Sequence, residues 1–129
     1  MKPEQKFAQW CRDALAIADW QRIESMGSGI PDVNCCLDGF EFWLELKVVT
    51  HGRTLLRKEQ YAWGNRRANH RGNVFVLSHD ESRGLVLAWQ FPSLIVQPYS
   101  KYLEVGDEFC TELPYDKAKV KSFLISRII

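Results

Sequence analysis

An α/β fold with a central mixed β-sheet flanked by helices is what the sequence predicts, and three observations predict it. Apolar residues at helical spacing open the chain, a tight-turn signal joins two strand-like segments within 33–49, and a helical pattern from residue 54 is followed by further strands. The expected core order is helix, three strands, helix, strand. At 129 residues the chain is expected to form one domain, residues 1–129. With 46% hydrophobic and 26% charged residues it can bury a core, which excludes an intrinsically disordered chain.

Pro3 suits a first helical turn, and Phe7, Trp10, Cys11, Ala14, Leu15 and Ala18 keep helical spacing, so a helix is expected over about 3–18. One turn back along that stripe stands Glu4, an acid at the end of the core-facing edge. A short strand is expected at 21–24, then a break at Gly27-Ser28-Gly29 before Ile30-Pro31-Asp32. Asp38-Gly39 is a strong two-residue hairpin signal, so residues 33–37 and 40–49 are read as its strands. On the second strand Phe42, Leu44, Leu46 and Val48 share the expected core face, while Glu41, Trp43, Glu45 and Lys47 share the other. Thr54 is read as the cap of a helix to about Ala68. Residues 73–78 and 84–89 are read as strands, Pro92 as the start of a short helix, and residues 115–127 as a closing amphipathic helix.

Charge is unevenly spread. Residues 1–46 hold four Lys/Arg against eight Asp/Glu, residues 47–72 hold seven against one, and residues 73–129 hold six against seven. The central excess is the electrostatic footprint of a phosphate-backbone binder, although a solvated basic helix would look the same. Cys11, Cys35, Cys36 and Cys110 lack metal-ligand spacing and are read as reduced packing residues. His51, His70 and His79 are assigned no catalytic role. With no secretory signal and no membrane-length apolar run, the chain is expected in the cytoplasm, away from membranes.

The chemistry turns on hairpin register. With Leu37 facing Phe40, Asp32 faces Glu45, and two acids rooted roughly 5 Å apart destabilise a sheet unless something compensates them. Mg²⁺ would do so, since it takes oxygen ligands and commonly one or two carboxylates. Lys47, on the same face as Glu45, would stand beside a bound metal and a scissile phosphate, although a plain surface ion pair remains the alternative.

Gly29-Ile30-Pro31-Asp32 and Glu45-Leu46-Lys47 across a hairpin resemble the PD-(D/E)xK nuclease superfamily, with an order of elements like that of small Holliday junction resolvases and virus-type replication-repair nucleases. The resemblance covers roughly residues 1–78. It implies a restriction-endonuclease-like fold and Mg²⁺, replaceable by Mn²⁺, held by Asp32, Glu45 and the Leu46 carbonyl with help from Glu4. It also implies that Lys47 positions the attacking water and that Gln60 contacts the scissile phosphate or the lysine. Arg53, Arg57, Lys58, Arg66, Arg67 and Arg71 would then hold DNA phosphates, with little base specificity. The expected function is a metal-dependent endonuclease selective for branched DNA such as junctions, with a homodimer suited to paired cuts. A catalytically silent nucleic-acid-binding module, or a protein-interaction domain on a nuclease-like scaffold, stays open at this point.

Overall fold

The computed structural model describes residues 1–24 and 29–129, so the expected break at Gly27-Ser28 lies outside the described residues. Its elements are α1 (Pro3–Ala14), β1 (Asp19–Arg22), β2 (Val33–Leu37), β3 (Phe40–Val48), β4 (Leu55–Leu56), α2 (Lys58–Asn69), β5 (Asn73–Asp80), β6 (Leu85–Gln90), β7 (Val96–Tyr99), β8 (Tyr102–Val105), β9 (Thr111–Pro114) and α3 (Lys117–Ile128). A six-stranded sheet runs in the order β1-β2-β3-β5-β6-β9, and β4-β8-β7 form a small second sheet. Among the described residues only the β3–β5 pairing is parallel, made possible by α2 carrying the chain from one to the other. The predicted mixed sheet with flanking helices is the observed one.

The hairpin forms in the predicted register: Leu37 pairs with Phe40 and Val33 with Leu44. Asp38 and Gly39 take φ of 52° and 85°, the left-handed pair that a two-residue turn of matching twist needs, and these residue types tolerate it. Because both middle strands are covered on both faces, Val74-Phe75-Val76-Leu77 is uniformly buried and lacks alternation. On one face α1 and α3 pack Phe7, Cys11, Leu15, Val120 and Leu124 against Phe42, Leu44 and Leu46. On the other, α2 and the small sheet bring Trp63, Leu56 and Val105 against Val74, Val76 and Trp89.

Several expectations shift. The first helix stops at Ala14 rather than Ala18, and β1 starts at Asp19, two residues before the expected strand. Thr54 does not cap α2: it is buried, its hydroxyl meets Ser78 Oγ at 2.7 Å, and Leu55-Leu56 pair with β8 before the helix opens at Lys58. Pro92 opens no helix but follows a cis Phe91-Pro92 bond. Trp89, Phe91 and Leu94 lie in the monomer's core, while Ile95 is exposed. The polar face of β3 is also not open to solvent: Trp43 packs edge-on to Trp63 with ring centroids 5.0 Å apart, and Glu45 is 3% exposed.

Candidate functional site

The site forms where the antiparallel ladder between β2 and β3 ends. Val33 pairs with Leu44, and beyond that point β3 has no backbone partner on its β2 side among the described residues. Asp32 fills the place with its side chain, Oδ2 accepting the Leu46 N–H at 2.9 Å. Since a strand residue's N–H and C=O point the same way, the Leu46 carbonyl faces the Asp32 edge as well. Asp32 is also tied through its own carbonyl, which accepts the Ile23 N–H at 2.8 Å and extends β1.

Gly29 sets this segment in place. Its φ is +76°, and a Cβ there would run into the Glu59 carbonyl and the Gln60 backbone at the start of α2. Only glycine lets the strand bearing Asp32 approach the first turn of the helix so closely.

Gln60 is the third residue of α2 and serves both the helix end and the site. Its Oε1 accepts the Arg57 N–H at 2.8 Å, satisfying an otherwise unpaired first-turn donor, and also accepts Lys47 Nζ at 3.1 Å. Its Nε2 donates to Glu45 Oε1 at 2.9 Å. Two donors aimed at one amide atom and an acceptor at the other fix the amide orientation. Glu45 and Lys47, on one face of β3, are thus bridged by a single amide group.

Among the described residues Glu45 Oε2 is buried without a hydrogen-bond donor, and its charged neighbours are the Asp32 carboxylate, Lys47 and Arg57. Burial first, and then the Asp32 carboxylate, raise the Glu45 carboxyl to about 9 against the opposing pull of Lys47 and Arg57. At neutral pH and without a cation the pair therefore keeps one proton. Two close acids, an orphaned carboxylate oxygen and a backbone carbonyl on one edge make an all-oxygen donor set, which fits a small hard divalent cation.

The remaining expected residues are distributed as follows. Glu4 is exposed at the start of α1 and lines the groove onto which Asp32 and Leu46 open, but among the described residues no three Asp, Glu, His or Cys side chains stand close enough to share an ion. Arg57 precedes α2 and acts on Glu45. Arg53 pairs with Glu104 at 3.4 Å and lies over the Tyr99 ring, and Arg67 lies over Trp63 and Trp43, so both are engaged by the fold. Lys58, Arg66 and Arg71 are exposed on and just after α2. Sequence reading missed the groove between α1 and β1, lined by Arg12, Trp20 and Arg22; the one available signal was an arginine two residues after a tryptophan in a short strand.

No protein-family model matches the sequence, and no curated protein matches it. Among solved structures, Archaeoglobus fulgidus Hjc, a Holliday junction resolvase from an archaeal hyperthermophile, aligns over 98% of this chain and 98% of its own, with a TM-score of 0.63 and 11% identity. The likeness extends through the C-terminal third, where the sequence had offered none. In architecture, from first helix to last, this chain has the fold of that resolvase.

Proposed function

We propose that the protein is a divalent-metal-dependent endonuclease that hydrolyses phosphodiesters in branched DNA. The observation that carries this reading is the amide of Gln60 holding Glu45 and Lys47 together beside Asp32, in a buried pocket of oxygen atoms with no structural need for two acids. Asp32, Glu45 and the Leu46 carbonyl would hold Mg²⁺ or Mn²⁺, with Glu4 available from the groove rim. The bound ion would supply Lewis-acid polarisation of the phosphate and lower the pKa of a coordinated water.

This chain's own groups account for the rest. Lys47 carries an ammonium beside the acids, where it would orient the attacking water and offset charge developing on the phosphate. Gln60 keeps that ammonium from collapsing onto Glu45, because its oxygen takes the lysine and its nitrogen takes the carboxylate. Arg57 adds positive charge at the same place. The exposed Lys58, Arg66 and Arg71 would hold flanking phosphates without reading bases.

Branched DNA is favoured because the fold is a junction resolvase's. Cleavage of a labelled four-way junction, a flap, linear duplex and single strand is expected with Mg²⁺ or Mn²⁺ and not with EDTA. Asp32→Asn is expected to abolish cleavage while leaving junction binding intact. A mutant as active as wild type would refute the site, and activity in EDTA would refute the metal.

A further inference from the structure

A groove of about 820 Å³ runs between α1 and the edge strand β1, away from Asp32. Glu4, Asp32 and Leu46 line it together with Arg12, Trp20 and Arg22, and along β1 Trp20 stands farther from Asp32 than Arg22 does. The geometry follows from the sheet. Trp20 and Arg22 pair with Cys35 and Val33, both buried beneath α1, so they lie on the α1-facing side of the sheet where it extends past the helix. The groove thus joins the acids of the proposed metal site to Arg12, Arg22 and Trp20.

The tryptophans differ in a telling way. Trp10 stacks on Tyr115, Trp43 and Trp63 pack on each other beneath Arg67, and the Trp89 indole N–H donates to the Gly106 carbonyl at 3.0 Å. Among the described residues Trp20 has no ring, cation or hydrogen-bond partner, although it is only partly buried and lines the groove. Arg12 and Arg22 likewise have no acidic partner among the described residues, unlike Arg53 and Arg83.

An aromatic ring flanked by free cations in a polar channel is the chemistry that takes unpaired nucleotides: a base stacks on the ring and the backbone lies along the charges. Duplex DNA would first have to give up its own stacking to use such a ring, which an unpaired base need not do. We infer that this groove binds a single-stranded arm of the substrate, with a base on Trp20 and phosphates at Arg12 and Arg22, and leads that strand toward Asp32. The inference rests on the nuclease reading for what happens at Asp32, but not for binding itself.

The test is titration of the Asp32→Asn protein with an eight-residue oligothymidylate, following tryptophan fluorescence and anisotropy. Quenching is expected in the parent and is expected to be lost in Trp20→Leu, with affinity roughly tenfold weaker. Because Trp20 also packs against the core, the exposed substitutions Arg12→Ala and Arg22→Ala give a second readout: each is expected to lower the salt slope of binding by about 0.7. In otherwise wild-type protein, the preference for cutting a substrate with a single-stranded arm over one without it should fall toward one in the same variants. Unchanged binding and salt slope in the arginine variants, or displacement of the oligonucleotide by blunt duplex as readily as by single strand, would overturn the inference. If no substrate is cut with any metal, the nuclease reading fails, while the titration still decides whether the groove holds a strand.

Discussion

Two acids of similar exposure, Glu45 on β3 and Asp80 at the end of β5, have opposite fates. Asp80 accepts Arg83 Nε at 2.7 Å and Ser82 Oγ at 2.9 Å, and Arg83 reaches on to Glu112 at 2.8 Å. The hydrogen bond from Arg83, against a smaller opposing effect of burial, holds the Asp80 carboxyl below its ordinary value. Glu45 has an amide on one oxygen, nothing on the other and an acid for a neighbour, so burial pushes it up. An acid kept for structure is given its own cation; the Glu45–Asp32 pair is left short of one. Such uncompensated burial persists where function holds it in place.

The largest effect expected from breaking this contrast is on chemistry. Lys47→Ala and Asp32→Asn should each lower the cleavage rate by about a hundredfold or more at saturating Mg²⁺, read in single-turnover assays. A loss below tenfold in both would place the chemistry elsewhere. Gly29→Ala comes next: a side chain at positive φ against the Glu59 carbonyl should destabilise the fold by roughly 1–3 kcal/mol in urea unfolding and lower activity, as the Asp32 strand is pushed off α2.

Glu45→Gln sharpens the comparison in the opposite direction. The folded carboxyl titrates near 9 against an ordinary value of 4.5, so between those pH values the folded state holds a proton that the unfolded state has lost. Metal-free stability should therefore fall as pH rises through that window, and the variant should be inactive yet more stable at pH 8, with a flatter pH profile. Mg²⁺ should stabilise the wild type more at pH 8.5 than at pH 6, because binding displaces the proton. A wild-type pH profile as flat as the variant's would mean that Glu45 is not held neutral.

The smallest effect is expected at the compensated acid. Arg83→Ala should leave cleavage unaltered and lower the Tm slightly. Asp80, with its value depressed, supports the fold above pH 4 and loses that support as pH falls through its lowered value, so the variant should show a weaker acid dependence. A loss of cleavage in this variant would make the Asp80 region part of the site.

Much of the fold was readable because its signals are local. Asp38-Gly39 fixes its turn by backbone conformation, and a two-residue turn fixes the register of everything paired beyond it, which is why the approach of Asp32 to Glu45 could be anticipated, although the ladder itself stops at Val33 and Leu44. The errors lie where tertiary pairing overrode a local preference. Leu55-Leu56 fit a helix but found a strand partner in β8, and Thr54, a good cap by type, found Ser78 instead. Strands β7, β8 and β9 are four residues each and too short for periodicity to declare. The run of basic residues looked like one surface, yet Arg53, Arg57 and Arg67 were drawn to Glu104, Glu45 and the tryptophans, contacts no linear pattern encodes.

By itself the sequence determined the hairpin and the alternation that puts Glu45 and Lys47 on one side of β3, because each depends on neighbours within a few residues. Only the tertiary structure decided that this side would be buried beneath α2, that Gln60 would join acid to lysine, and that α1 and β1 would leave a basic groove beside Asp32. Those outcomes depend on helices and strands distant in the chain meeting in space, and the strength of a charge or hydrogen bond is set by what surrounds it there.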